Sequence, residues 1–270
     1  MKNTFKKHLS LMLTLALLLT FGLSAVAASS PNLLNKIKSE GKLVVATSPD
    51  YAPYEFLDLD GKPVGADISL VNYVAEQLGV TLVVEAMDFD TALAAVAASK
   101  VDLCVAGMVP KEERKSVMDF TDVYYNDGNQ GIIILKSKAN ELKTLEDFKG
   151  KLVAAQNGTL QQTLVSEQLP WATMEPINKI PDAIMMVMTG KVAGLALASV
   201  VSDQYVANYE DLTVCETAFD YDYLGVAMAT PKDSPELVAA LNAIIKDVAE
   251  QGLYLKWMGE AIELSNSISQ

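Results

Sequence analysis

Apolar and polar positions along the chain follow two alternating periods. After a short amphipathic stretch from Leu33 to Glu40, Lys42 to Thr47 reads as a β-branched strand. Asp67 then caps a segment in which Ile68, Val71, Val74, Ala75 and Leu78 recur at helical spacing, with Gly79 as its stop. Val80 to Val84 is the next strand, a helix follows Asp90, and further strands are expected from Val101 and from Gly131 to Leu135, with a charged turn at Lys111 to Lys115 between them. A second series starts where Thr144 caps Leu145 to Phe148. Leu152 to Ala155 reads as a strand, a helix opens at Thr159 after Gly158, and Pro181 and Gly190 bracket a methionine-rich helix from Asp182 to Thr189. Its methionines are expected in the core. Strands follow at Gly194 to Leu197, Leu212 to Cys215 and Leu224 to Ala229, and a long helix from Pro235 to Gln251 closes the chain ahead of a polar tail at Glu263 to Asn266.

Strands that alternate with helices define an α/β chain and predict a largely parallel sheet covered on both faces. The series repeats faintly: a helix leads into Ser99-Lys100-Val101-Asp102 and another into Gly190-Lys191-Val192-Ala193, as expected of two similar lobes. In open α/β sheets ligands lie beyond the carboxyl ends of the strands. The residues to inspect are therefore those just after Val45, Val105, Ala155 and Leu197.

Composition narrows the classes of function. Lys2, Lys6 and Lys7 precede an apolar run from Leu9 to Leu23, and Ala25-Val26-Ala27 offers small residues for cleavage, so residues 1–27 read as an export signal. The run is shorter than the roughly 20 residues of a spanning helix and is interrupted by Thr14 and Thr20. No cysteine follows it before Cys104, so no lipid-modified cysteine is expected. Losing three lysines with the leader takes the net charge from −13 to −16. Such acidity argues against nucleic acid or anionic lipid as partner, since both require clustered Lys and Arg. Cys104 lies in the apolar pattern Val101 to Val105, where a buried free thiol is expected in preference to a bridge with Cys215. The lone histidine, His8, lies in the leader, so the mature chain lacks histidine-based triads. No metal-spaced cluster of Cys or acids replaces them. Neither a cofactor nor a metal is expected.

The strand ends carry Thr47 to Tyr54, Ala106 to Arg114, Gln156 to Thr159, and Ala198-Ser199. Together with Gly61-Lys62 to Asp67, Asp119-Phe120-Thr121-Asp122, Tyr124-Tyr125 and Leu145 to Gly150, in this order and spacing, they resemble the extracytoplasmic solute-binding proteins of polar amino-acid ABC transporters, from Lys42 to about Gly259. The resemblance implies two lobes joined by two crossing segments that close as a hinge, near Tyr125 to Gly131 and near Glu216 to Gly225. Lobe one would comprise residues 28–128 and 221–270, and lobe two residues 129–220. It also implies a monomer in the periplasm that takes a small amino-acid-like ligand and delivers it to a membrane permease.

For the site, the resemblance points to Arg114 as the ligand's carboxylate anchor. A guanidinium can grip a carboxylate with two parallel, charge-assisted hydrogen bonds. The same arginine lies in a Lys-Glu-Glu-Arg-Lys run that also reads as a solvated helix face. Backbone N–H groups at Gly107 and Val109, beside Ala106, and at Thr159 and Leu160 at a helix start, after Asn157, would complete the anion site. Tyr51 and Phe89 match ring positions against the ligand, whereas Tyr54 reads as core. Two positions depart from the family pattern: Val109 stands where many relatives have Ser or Thr, and Ala198 where relatives that take α-amino acids carry an Asp for the ammonium group. The second departure predicts a ligand whose amine is absent, displaced or held by aromatic faces, unless Asp50, Asp127, Asp182 or Asp220 supplies the charge. An enzyme on the same fold, of the cyclohexadienyl dehydratase kind, and a receptor for a signalling partner are the alternatives.

Overall fold

The computed structural model describes residues 32–126, 128–222 and 225–268. The leader with its cleavage site, His8 and Asp127 lie outside the described residues. Among those described, no helix is long and apolar enough to cross a membrane.

Two five-stranded sheets form two layered lobes. The first is built from β1 (Lys42–Thr47), β5 (Thr81–Ala86), β6 (Leu103–Cys104), β7 (Met118–Phe120) and β13 (Ala229–Pro231), in the order β5-β1-β6-β13-β7. The second contains β8 (Gln130–Leu135), β9 (Leu152–Gln156), β10 (Thr173–Ile177), β11 (Gly194–Ala198) and β12 (Leu212–Val214), in the order β10-β9-β11-β8-β12. A hairpin ribbon of β2 (Asp50–Tyr51), β3 (Glu55–Leu57) and β4 (Pro63–Val64) stands beside the first sheet. The sheets are mixed and not largely parallel. β1 runs parallel to β5 and β6, and β9 parallel to β10 and β11, but β13 and β8 run antiparallel to their neighbours. Both exceptions are strands that enter a lobe from the other one. A chain entering at the edge where the parallel strands end must run back against them, and periodicity within one strand carries no trace of that direction.

The crossings pair with each other. Tyr125 bridges Val226, with Val226 N–H donating to the Tyr125 carbonyl at 2.9 Å and Phe219 N–H to that of Gln130 at 2.9 Å. The expected strand from Leu224 reaches regular pairing only at Ala229, and Leu224 itself lies outside the described residues.

Helices cover the sheets: α1 (Leu33–Glu40), α2 (Ala66–Leu78), α3 (Phe89–Ala97), α4 (Leu160–Gln168), α5 (Ile180–Met188), α6 (Ser199–Asn208), α7 (Pro235–Glu250) and α8 (Leu253–Ile268). α2 buries Ile68, Val71, Val74 and Ala75 at the predicted spacing and ends on left-handed Gly79. α8 runs through the segment expected to be a polar tail. Its buried stripe of Tyr254, Met258, Ala261 and Ser265 recurs at three- and four-residue spacing, and one small serine among apolar residues hides that period. α6 has almost no amphipathic signal in its sequence, and it went unpredicted. On α5 the core face is Ile180, Ala183, Ile184 and Val187, whereas Met185 is 52% exposed, so the methionines only partly fill the core. Cys104 and Cys215 are free and buried, and burial pushes the Cys104 thiol up to about 12.

One backbone crossing fixes the ribbon against α2. Gly65 has φ +126, and a Cβ there would lie 2.3 Å from the Tyr54 carbonyl oxygen. The close approach lets Ala66 N–H donate to Pro53 and Asp67 N–H to Tyr54, at 3.0 and 2.9 Å. We predict that Gly65→Ala costs at least about 2 kcal/mol, because strain and backbone clash coincide. Urea denaturation should show a lower midpoint; an unchanged midpoint would contradict this reading of the crossing.

Candidate binding site

The carboxyl ends of β1, β6 and β9 converge on a cavity of about 20 Å3 between the lobes. That is room for about one water, well below the roughly 300 Å3 of a small-molecule pocket, so a ligand must displace side chains or part the lobes to enter. Its lining includes Tyr51, Phe89, Ala106, Gly107, Val109, Arg114, Thr159 and Leu160, eight of the ten residues expected at the site. Asn157 and Ala198 are not among the lining residues. The Asn157 side chain donates instead to Asn178 Oδ1 at 2.7 Å. Ala198 is fully buried at the end of β11, paired with Gln130 and preceding α6, which removes it from the cavity. Tyr54 is core, stacked on Tyr51 with ring centroids 5.8 Å apart.

Arg114 is a buried residue of the Lys-Glu-Glu-Arg-Lys turn, whereas its neighbours Glu113 and Lys115 are exposed. Its guanidinium donates to the Val109 carbonyl at 2.9 Å and to the Gly158 carbonyl of the other lobe, and it lies 5.7 Å from the Phe89 ring centroid. Burial pulls its pKa down, while the charge of Glu113 raises it. Yet Glu113 pairs with Lys111, and no ion pair of Arg114 is found among the described residues. A desolvated cation whose only acceptors are neutral carbonyls is poised to take an anion.

The Gly107 N–H, expected to be available to an anion, is not. It donates to Asp67 Oδ2 at 2.9 Å, inside lobe one. The helix-start donors fare better: Thr159 caps α4, its hydroxyl accepting from Gln162 N–H at 3.2 Å, which leaves the first turn of α4 at the cavity wall.

The lining also holds Ser48, Asp50, Glu55, Gln156 and Gln161, none of them assigned to the site from sequence. Asp50 had been a candidate acid, and it does line the cavity, but its oxygens are committed. Oδ1 accepts from the Ser48 hydroxyl at 3.0 Å, and Oδ2 from the Gln156 amide at 3.1 Å and from Ile180 N–H at 2.9 Å. The last two donors belong to lobe two, so Asp50 ties the lobes together across the first turn of α5. Burial raises its pKa and these bonds lower it. Asp182 and Asp220, the other candidates, are exposed and outside the lining. Gln161 donates to Gln130 at 2.6 Å and to the Tyr51 hydroxyl at 3.3 Å.

Glu55 is the site's most unusual group. It is fully buried between Tyr54 and Phe56, with the Asp67 carboxyl against it. Burial, then the adjoining Asp67, pushes its pKa well above the ordinary glutamate value. Asp67, also raised by burial, is held by Tyr254, Gly107 and Tyr124 donors, so the pair keeps its proton on Glu55. An acid inside the apolar run Tyr54-Glu55-Phe56 was the sequence signal for this group.

With the geometry in hand, the class is a two-lobed α/β clamp with charged groups buried at the lobe interface. Residues 43–260 match the bacterial extracellular solute-binding proteins, family 3, and the chain belongs to that family. It is 32% identical over 255 residues to the arginine-binding extracellular protein ArtP of Bacillus subtilis, covering 92% of this chain and 96% of that one. It is 28% identical over 257 residues to the L-cystine-binding protein TcyJ of Escherichia coli, covering 93% and 95%. Among solved structures, an amino acid ABC transporter substrate-binding protein from Streptococcus pneumoniae bound to L-arginine superposes with a TM-score of 0.82 at 34% identity, covering 86% of this chain and 98% of that one. The ancestral amino acid-binding protein AncCDT-1, a precursor of cyclohexadienyl dehydratase, gives 0.77 at 29% identity, covering 86% and 99%.

A buried acid with a raised pKa stabilises the fold while protonated, fully below its unfolded value near 4.5, and that contribution is lost as pH rises through the folded pKa. Asp50 and Asp67 act in the same sense. We therefore expect the unliganded protein to lose stability as pH rises above about 5, and Glu55→Gln, which mimics the protonated form, to flatten that fall. Denaturation midpoints across pH check this; identical slopes for the two proteins would contradict the protonated assignment.

Proposed function

We propose that this chain is the substrate-binding subunit of an ABC importer, capturing an amino acid or an amino-acid-like carboxylate between its lobes. The observation that carries the reading is Arg114: a buried guanidinium at the wall of the interlobe cavity that, among the described residues, has no ion pair and is held by carbonyls from both lobes. A ligand carboxylate offers it two charge-assisted bonds in their place. Thr159 and Leu160 add the positive end of α4, and Tyr51 and Phe89 form aromatic walls around the ligand's body. Ala106, Gly107 and Val109 supply backbone and shape. Arginine and cystine appear in the names of relatives that this chain matches over nearly its whole length, which supports an amino acid as the class of ligand.

On this reading residues 1–27 are removed on export, residues 28–128 and 221–270 form lobe one, and residues 129–220 form lobe two. The mature chain acts as a monomer outside the cytoplasm, in a periplasm where the host has one, and docks on a membrane permease. We read it as a receptor and not a catalyst, because its named relatives are transport binding proteins. The two carboxylates of the cavity also alter the expectation drawn from Ala198. Glu55, on giving up its proton, and Asp50 place negative charge on the lobe-one wall, so an ordinary α-amino acid is consistent with the charges of the cavity.

A thermal-shift panel of L-amino acids and their deaminated and decarboxylated analogues tests the class, since a ligand that binds only the folded protein raises the melting temperature by mass action. For the ligand so found, Arg114→Ala should weaken binding by about 2–5 kcal/mol, or roughly 30- to 5000-fold, in calorimetry on the folded variant. Near-native affinity would return Arg114 to the solvated helix face.

A further inference from the structure

We propose that the end of α8, from Ile262 to Ile268, is a strap that ties lobe two to lobe one and slows the escape of ligand from the interlobe cavity. These turns lie beyond the family match, which ends at residue 260. Three observations carry the proposal. First, α8 is seated on lobe one: it packs on α2 and α7, and the Tyr254 hydroxyl donates to Asp67 at 2.6 Å. Second, its far end leaves that lobe. It packs on α6 of lobe two, where the Asn208 amide donates to Asn266 Oδ1 at 3.4 Å, and Ser265 and Ile268 wall a groove shared with Tyr205 and Tyr209. Third, the buried stripe of the helix changes character on the way, from Tyr254, Met258 and Ala261 to Ser265.

The geometry makes this contact answer to lobe rotation. The Tyr254 ring lies against Tyr125 of the first crossing, with centroids 5.2 Å apart, and Ser265 stands about three turns, or roughly 16 Å, further along the axis. A rotation of lobe two about the crossings carries α6 with it, whereas α8 stays with its Asp67 anchor. The strap contact must then part or slide. It is shallow and polar, because the groove beneath it, about 290 Å3, leaves α8 touching α6 along one edge. Gln204 at the groove wall keeps a buried Oε1 without a partner among the described residues, a cost to this arrangement that the strap offsets. A contact of about one net hydrogen bond shifts the ratio of shut to open forms about 5-fold. With room for about one water in the shut cavity, ligand leaves only when the lobes part, so the strap acts on the release rate.

The test compares the full mature chain, a chain ending at Ile262, and Asn266→Ala, all of which keep Tyr254 on Asp67. The effect on release rests on the interlobe cavity being the ligand site, whereas the shape of the empty protein does not. L-arginine and L-cystine serve as probes. Stopped-flow kinetics should show release from the shortened chain about 5-fold faster, with association unchanged, and Asn266→Ala in between. Small-angle scattering without ligand should give the shortened chain a larger radius of gyration. Unchanged release of a probe that binds overturns the strap and leaves the site reading intact. So does weaker binding that comes wholly from slower association. If neither probe binds the full chain, the site reading loses its support and scattering alone decides: equal radii overturn the strap, and a larger one supports it. Should circular dichroism show that the shortened chain does not fold, Asn266→Ala carries the same two readouts, with release about 2- to 5-fold faster expected.

Discussion

Asp67 sits at the first turn of α2 and has no exposed surface. The Tyr254 hydroxyl donates to it at 2.6 Å, the Tyr124 hydroxyl at 2.9 Å and Gly107 N–H at 2.9 Å. These donors come from the last helix, from the start of a lobe crossing and from the loop that walls the cavity. Burying a carboxylate is expensive, and removing any one donor would leave part of that cost uncompensated. The ion thus holds three distant segments in register. Gly107, Tyr51 and Tyr54 keep their places only while that loop is pinned. Glu55 keeps its proton for the same reason, since a satisfied anion next door forbids a second charge.

Against this anchored lobe the second lobe makes apolar contacts, in one buried cluster that runs through both, and polar ones. Asp50 reaches Gln156 and Ile180, Arg114 reaches Gly158, and Lys111 reaches the Thr163 hydroxyl at 2.8 Å. Polar contacts of this kind can be exchanged for water or for a ligand more easily than apolar packing, which suits a joint that opens and closes. The two crossings are tied by the Tyr125–Val226 bridge, and α8 also meets α6 of the second lobe, where the Asn208 amide donates to Asn266 Oδ1 at 3.4 Å.

Much of this was legible in the sequence. Regular elements with clear periods, such as α2 and β1, fell where expected, and the order of motifs identified the fold. Eight of the ten expected residues line the cavity, because strand ends in α/β sheets are the natural binding edge. Where the structure departs from these expectations, the causes are physical. Strand direction at the crossings depends on which lobe the chain comes from. Gly107 N–H was claimed by Asp67, a partner 40 residues away. Ala198 and Asn157 stand one step off the cavity, where the pairing with Gln130 and the bond to Asn178 hold them, and linear register cannot resolve such a step. Glu55 was overlooked although an acid between two buried aromatics signalled a charge held for a purpose.

The central claim is that the buried guanidinium of Arg114 waits for a carboxylate between the lobes. A crystal structure of the mature chain grown with L-arginine tests it most directly. The account predicts the ligand's carboxylate in a two-pronged contact with Arg114, with the Val109 or Gly158 carbonyl displaced. A bound ligand that leaves Arg114 on both carbonyls, with its carboxylate elsewhere, would contradict it.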